Sequence, residues 1–223
     1  MVDLKRALDV AVAGTLLAVG SPLIVLAGLA IKLESQGPML FRQRRVGRAH
    51  APIETLKLRT MRHAPHSTGP QVTASGDRRI TRVGRLLRST KLDELPQLWN
   101  VVRGDMSLVG PRPEVPHYVA GYRPEWQRLF TVRPGLTDLA SITFRDEEAL
   151  LARASDRDRA YREVIMPLKL GLALEGVEHS SIVYDVTVLV RTLAAIFSPP
   201  TPADNSTLAE AYRRIEQLNE SGS

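Results

Sequence analysis

The sequence predicts an α+β chain, predominantly helical, with an N-terminal re-entrant membrane helix hairpin, a small β-hairpin and amphipathic interfacial helices. Three observations carry this. Val10 to Ile31 runs without a charge, and about 20 such residues are enough to cross a hydrocarbon core as a helix. Residues 39–46 and 53–61 partly alternate in the period of a strand. Much of the remaining chain repeats apolar residues at helical spacing.

The apolar run has three readings. A cleaved signal peptide has a shorter apolar core, and Ser21-Pro22 interrupts this one midway. A kinked single span is open to it, because proline removes one amide donor and bends a helix without ending it. The flanks favour a hairpin instead. Lys5 and Arg6 precede the run, and Lys32, Arg42, Arg44, Arg45 and Arg48 follow it, so both ends satisfy the positive-inside preference. Ser21-Pro22 is then the apex, with the serine hydroxyl satisfying a carbonyl freed by the proline.

Composition bounds the rest. The 223 residues, 43% hydrophobic, suit one domain with a sizeable core plus accessories. The expected division is 1–34 as membrane hairpin, 35–197 as the main folded domain and 198–223 as Pro-rich linker and short C-terminal helix. Thirty Lys and Arg against 24 acids give +6, which points to partners carrying phosphate: nucleic acid, lipid headgroups or a phosphorylated substrate. Aromatics at 5% leave few stacking platforms, and no zinc-ligand or RNA-motif spacing occurs, so nucleic acid is not expected. The lack of cysteine excludes disulfides and thiolate catalysis.

The soluble elements follow in order. The two strands are joined by a longer loop at 47–52, and residues 63–77, rich in Pro and Gly, read as a surface loop. Ile80, Val83, Leu86 and Leu87 then recur at helical spacing, with Arg78, Arg79, Arg82, Arg85, Arg88 and Lys91 over the other surface. A second helix begins near Asp93, takes Pro96 in its first turn and ends at Gly104. Pro111-Arg112-Pro113 presents one guanidinium from a stiff backbone. Helical patterns cover about 146–165 and 182–197, and an amphipathic helix covers about 207–219. That last helix is open to packing on the domain, to homo-oligomer formation or to loose attachment.

Asp93-Glu94 has an ordinary explanation at a helix start, where caps and the macrodipole favour acids. Its neighbourhood suggests more. Arg88 and Lys91 lie just upstream, and the hairpin supplies Lys57 and Arg59 from its second strand. A carboxylate beside a bound phosphoryl group acts as a nucleophile or holds a divalent metal. The dipole and the cations are expected to keep both acids ionised, without a raised pKa.

The block KLDELPQLWNVVRGDMSLVGPRPE at 91–114, with KLRTM at 57–61, resembles the bacterial sugar transferases, the monotopic phosphoglycosyl transferases. The similarity extends to KRALD at 5–9, Ser21-Pro22, GP at 37–38, FRQRRVG at 41–47 and RPGLT at 133–137. After Thr137 the chain departs from the family pattern, reading DLASITFRDEE at 138–148.

The resemblance implies transfer of a sugar-1-phosphate from a UDP-sugar to undecaprenyl (polyprenyl) phosphate, the first membrane step of bacterial glycoconjugate or polysaccharide synthesis. It also implies a re-entrant, monotopic hairpin among membrane lipids on the cytoplasmic face of the bacterial inner membrane. By it, Asp93 attacks the sugar-proximal phosphate, releases UMP and carries the phosphosugar, and Glu94 helps Asp93 hold Mg²⁺. Lys57 and Arg88 match phosphate-contacting or site-organising positions, and Arg112 matches one at the nucleotide end. Arg59 is added on its proximity in sequence. The alternatives are a non-catalytic lipid-binding scaffold and a nucleotide-sugar hydrolase.

Overall fold

The computed structural model describes residues 2–62, 73, 77–197 and 206–221. It comprises two compact units, Met1–His66 with Arg78–Leu136, and Ser67–Asp77 with Thr137–Ser223. The expected surface loop at 63–77 lies outside the described residues apart from Thr73 and Asp77, and so does the Pro-rich linker.

The first unit opens with helix α1 (Val2–Glu34), which contains Pro22 and is uninterrupted. The break expected at Ser21-Pro22 is absent, and the reason is local. Proline has no N–H for the carbonyl of Ala18, four residues back, and Ser21 Oγ donates to that carbonyl at 2.8 Å instead. The hydroxyl therefore does what was expected of it, but inside one helix.

α1 has two unlike faces. Leu4, Leu8, Val12, Leu16, Val19, Leu23, Leu26 and Leu33 are exposed at intervals of a helical turn or two, one apolar stripe along the whole helix. The other face packs on the unit. Ala13 and Ala27 are buried on it, and a Cβ added at Gly20 would lie 3.8 Å from Leu95. Ala13, Gly20 and Ala27 recur every seven residues, where small side chains let the helix approach its neighbours. Among the described residues α1 is the one helix long and apolar enough to cross a membrane, and it fits membrane association.

Both ends of α1 are bonded to the same unit through the caps of two other helices. Near its start, Arg6 donates to the carbonyls of Val101 and Val102 at 2.7 and 2.9 Å, at the carboxyl end of α3 (Gln97–Arg103). Asp9, 7% exposed, accepts from Ser107 Oγ at 2.7 Å and from the Leu108 amide at 3.3 Å. At its far end, Glu34 accepts from the amides of Arg82 and Val83 at 2.6 and 2.9 Å. Those amides open α2 (Arg82–Ser89), where a carboxylate is favoured by the helix dipole.

Strands β1 (Leu40–Val46) and β2 (Pro52–Leu58) form the expected antiparallel hairpin, with Phe41 opposite Lys57. α2 is shorter than the basic stretch suggested. Thr81 caps it, accepting from the Gly84 amide at 2.9 Å, so Arg78 and Arg79 precede the helix. Gly84 is obligatory, since a Cβ there would lie 2.0 Å from the carbonyl oxygen of Thr60.

Two short strands were not foreseen, β3 (Ser107–Val109) and β4 (Gly135–Thr137). The Ser107 amide donates to Pro134 O at 2.8 Å and the Gly135 amide to Pro111 O at 2.9 Å. A Cβ on Gly135 would meet the backbone N of Gly110 at 2.1 Å, so the chain crosses there only as glycine.

A short helix, α4 (Pro116–Val119), lies between β3 and β4 in sequence, and in the second unit α5 (Leu139–Thr143) is capped by Asp138, whose Oδ1 accepts from the Ser141 amide at 2.7 Å. This cap lies in the segment that departs from the family pattern. The helical pattern expected at about 146–165 is carried by α6 (Glu147–Leu151), α7 (Arg157–Ala160) and a π-helical turn (Tyr161–Ile165) that leads into α8 (Met166–Glu178). Asp156 starts α7 afresh by accepting from the amides of Asp158 and Arg159.

α9 (Ile182–Phe197) has the expected bounds. It exposes Val183, Val186, Val190, Leu193 and Phe197 as one apolar face. α10 (Ser206–Ser221) packs on its own unit, the first of its three open roles. Ala211 and Ile215 are buried, and Asn219 Oδ1 accepts from the amide and hydroxyl of Ser155, both at 2.9 Å.

Gly84→Ala is expected to lower stability by about 1–3 kcal/mol, because the added methyl strikes backbone rather than a yielding side chain. Gly14→Ala, with nothing within 4 Å of the new Cβ, is expected to stabilise by about 0.5–1 kcal/mol through helix propensity. Thermal melts of the detergent-solubilised protein check both signs.

Candidate active site

Asp93 and Glu94 lie in one 3-10 turn (Leu92–Glu94) just before α3. Lys91, at φ 58°, precedes it in the left-handed region, an uncommon torsion for a side chain of this length. That residue ends the run from α2 and redirects the chain, its amide donating to Arg88 O and its carbonyl accepting from the Glu94 amide. Neither acid accepts from a backbone amide among the hydrogen bonds of the described residues, so the ordinary helix-cap explanation fails.

Glu94 is held by two cations from distant segments. Its Oε1 accepts from Lys57 Nζ at 2.7 Å and from Arg112 Nη2 at 2.5 Å, and Oε2 accepts from Arg112 Nη1 at 3.2 Å. Burial alone would raise its pKa, but Arg112 and then Lys57 outweigh it and hold the carboxyl well below its usual value. Lys57 is itself pushed down by burial, against the opposing pull of Glu94.

Asp93 has the opposite environment. It is 8% exposed, and its Oδ1 has no hydrogen-bond partner. Burial and then the charge of Glu94 raise its pKa, against the cations Lys57, Lys91 and Arg88. The expectation that neither acid needs a raised pKa is therefore corrected for Asp93. Loss of solvation outweighs the cations there, and two adjacent acids are pushed apart by their different surroundings.

Each cation is fixed by its own scaffold. Lys57 sits on β2, whose free edge is completed by a side chain: Asn100, 0% exposed, accepts from the Leu56 amide at 3.1 Å and donates to Glu54 O at 2.7 Å. Arg112 is held between anchored neighbours, with Pro111 O bonded to Gly135 and Pro113 O accepting from Arg45 Nη1 at 2.6 Å. Arg88 donates through Nε to Thr60 Oγ1 at 2.9 Å.

The structure thus brings together Asp93, Glu94, Lys57, Arg88 and Arg112. It does not bring Arg59. β2 ends at Leu58, and the Arg59 guanidinium donates to Gln36 O at 2.6 Å and to Ser35 O at 2.7 Å, fastening the chain just beyond α1. Ser21 and Pro22 lie within α1. Sequence reasoning left unassigned Lys91, which acts on Asp93, and Asn100, which holds the strand of Lys57.

Residues 2–199 match the bacterial sugar transferases. The chain belongs to this family. It is 55% identical over 147 residues to a UDP-glucose:undecaprenyl-phosphate glucose-1-phosphate transferase of Caulobacter vibrioides, a match covering 63% of this chain and 54% of that protein. A protein of the same description from Escherichia coli is 34% identical over 194 residues, covering 85% of this chain and 39% of its own length. A UDP-N-acetylgalactosamine-undecaprenyl-phosphate N-acetylgalactosaminephosphotransferase of Aeromonas hydrophila is 39% identical over 142 residues, covering 62% and 34%. The matches span about half or less of these relatives.

A pH consequence follows from the Asp93 environment. With its carboxylate ionised for the reaction, the acid limb of the rate profile is displaced upward from where an ordinary aspartate would put it, since its pKa is raised by burial and by Glu94. Lys91→Asn keeps a residue tolerant of left-handed torsion and removes a charge that lowers this pKa. The limb is expected to move to higher pH, read from initial rates across pH 4 to 8.

Proposed function

We propose that this chain transfers a sugar-1-phosphate from a UDP-sugar to a polyprenyl phosphate, with Asp93 as covalent nucleophile. The observation that carries the reading is the contrast within the acid pair. Glu94 is bound by Lys57 and Arg112, while Asp93 is buried, cation-flanked and has an oxygen with no partner. The family and the substrates in the names of the relatives support the same reaction.

In the first step an Asp93 oxygen forms a bond to the sugar-proximal phosphorus as the bond from that phosphorus to the bridging oxygen breaks. UMP leaves with that oxygen, and no proton moves. In the second step a phosphate oxygen of the polyprenyl phosphate attacks the same phosphorus and Asp93 departs as a carboxylate. Splitting the exchange in two lets one electropositive site serve two anionic substrates in turn. Burial of Asp93 limits the water that would otherwise hydrolyse the intermediate.

The donor set fits Mg²⁺. Three hydrogen bonds leave acceptor capacity on Glu94 Oε2, and Asp93 Oδ1 is free of any partner. Among the described residues no group of three or more metal-ligating side chains forms a cage, which suits a cation bound through one or two carboxylates plus substrate phosphates. When bound, the ion would neutralise pyrophosphate charge. Lys57 and Arg112 keep Glu94 ionised and oriented for that role, and Arg88 and Lys91 supply positive charge beside Asp93.

The membrane seating belongs to the same proposal. α1 lies with its apolar stripe in one face of the bacterial inner membrane, monotopic, with the first unit on the cytoplasmic side. The bonding of both its ends to one unit supports this over a span. The exposed face of α9 supports an interfacial helix.

Wild-type protein is expected to release UMP from UDP-glucose labelled in its sugar, with Mg²⁺ present, to carry that label on Asp93 and to pass it to added polyprenyl phosphate. Asp93→Asn is expected to abolish both steps. Turnover of that variant at the wild-type rate sinks the mechanism, UMP release with free glucose-1-phosphate as the product means a hydrolase, and liposome binding without UMP release means a scaffold.

The chain has no cysteine, so topology is testable with single thiols at Val2→Cys and Arg48→Cys. A membrane-impermeant reagent on intact spheroplasts is expected to label neither until the membrane is permeabilised. Labelling of the Val2 variant alone excludes monotopic seating.

A further inference from the structure

Away from α1, the first unit exposes three large apolar side chains among its described residues, Phe41, Leu86 and Trp99. A single exposed apolar residue on an open surface needs no explanation. Phe41 differs in the face on which it stands. In the register of the hairpin it lies directly opposite Lys57. Residues paired across an antiparallel ladder project to the same side, with Cβ atoms about 4.5–5.5 Å apart. Lys57 Nζ donates to Glu94 Oε1 at 2.7 Å, so this side of the hairpin is the one turned to the acid pair.

The same face carries Gln43 opposite Thr55 and Arg45 opposite Ile53. Thr55 is buried, Gln43 Oε1 accepts from Arg45 Nε at 3.0 Å, and Arg45 Nη1 donates to Pro113 O at 2.6 Å. Those groups are engaged within the fold, whereas Phe41 is 48% exposed. An apolar ring thus stands uncovered beside a lysine that is bonded to a site carboxylate. A phosphate gains nothing from such a ring, but an apolar group attached to a phosphate does.

The place of Phe41 along its strand selects that group. Met39, just before β1, packs on α1, where a Cβ on Gly28 would meet Met39 Sδ at 2.8 Å. Phe41 is two residues on, about 7 Å of extended chain. Arg45, at the Pro-Arg-Pro end of the face, is about 13 Å further. The ring therefore lies between the apolar helix and Lys57. An isoprene chain that leaves the membrane beside α1, with its phosphate at Lys57, runs over it. The donor nucleotide, which arrives from water, has no such relation to α1.

We propose, on the phosphoryl-transfer reading above, that Phe41 is an acceptor-specificity residue. Its ring packs against the isoprene units nearest the phosphate of the polyprenyl phosphate while that phosphate attacks the phosphosugar on Asp93. The contact is apolar, and no bond or proton changes at the ring. Loss of the ring weakens acceptor binding in the second half-reaction and leaves the first in place.

The two half-reactions are read separately in wild type, Phe41→Thr and Phe41→Leu, with UDP-glucose labelled in its sugar and Mg²⁺. Labelling of Asp93 is measured without acceptor, then its discharge at increasing undecaprenyl phosphate, alongside melting temperature. Threonine suits a strand and removes the ring. Phe41→Thr is expected to raise the KM for undecaprenyl phosphate about 10-fold, with labelling rate, KM for UDP-glucose and melting temperature near wild type. Phe41→Leu restores apolar surface and is expected to recover most of the loss. Where threonine disturbs the hairpin, benzoylphenylalanine installed at position 41 reads the contact directly. Irradiation is expected to attach undecaprenyl phosphate and not UDP-glucose.

Discharge of Phe41→Thr at the wild-type acceptor KM overturns the proposal, and weaker binding of that variant to phosphatidylglycerol vesicles then assigns the ring to the membrane instead. A raised KM for UDP-glucose, or a crosslink to it, also overturns the proposal by placing the ring at the nucleobase. If wild type itself acquires no label, the underlying transfer reading fails; if it labels and discharges and Phe41→Thr matches it, only the role of Phe41 fails.

Discussion

Glu94 is a half-buried anion with three hydrogen bonds from two cations, and those cations come from Lys57 on a strand and Arg112 between two prolines. A desolvated carboxylate is tolerated only when its partners are in place, and removal of one typically costs about 3–5 kcal/mol by leaving charge uncompensated. The hairpin, the turn before α3 and the Pro-Arg-Pro segment are therefore not free to settle independently. Other contacts hold these parts to the tolerance the ion pairs need. Asn100 completes the edge of β2, and the Gly110–Gly135 crossing fixes the backbone before Arg112.

That arrangement separates two chemically similar neighbours. Glu94 takes two cations directly, while Asp93 receives its positive charge from Lys57, Lys91 and Arg88 without a hydrogen bond to any of them. One acid is thereby an organiser with its charge secured. The other is a desolvated carboxylate with an oxygen that has no hydrogen-bond partner, which supports the proposed nucleophile.

α1 shows a comparable division of labour along a single helix. Its exposed apolar stripe is continuous, yet its polar terminal residues act as caps for α3 and α2. Lys5, Arg6 and Asp9 read in sequence as flanking charge before a membrane segment. In the folded chain Arg6 and Asp9 are hydrogen-bonded ties that keep the apolar helix against the unit it serves.

Local physics made much of this legible from the residues alone. The uncharged run, the β-hairpin, the span of α9, the glycine end of α3 and the acid pair beside basic residues all follow from period, composition and torsional preference, which act over a few neighbours. Three matters depended on contacts between segments far apart in the chain. Arg59 and Lys57 are two residues apart, but only the end of β2 at Leu58 sends one to the carbonyls after α1 and the other to Glu94. The Ser21-Pro22 pair carries the same local signal in a break or in a continuous helix, and the Ser21 hydrogen bond within the turn decides for continuity. The acids are adjacent and alike in sequence; burial and the direction from which Arg112 arrives give Asp93 and Glu94 opposite shifts, because desolvation and ion pairing are properties of the assembled interior.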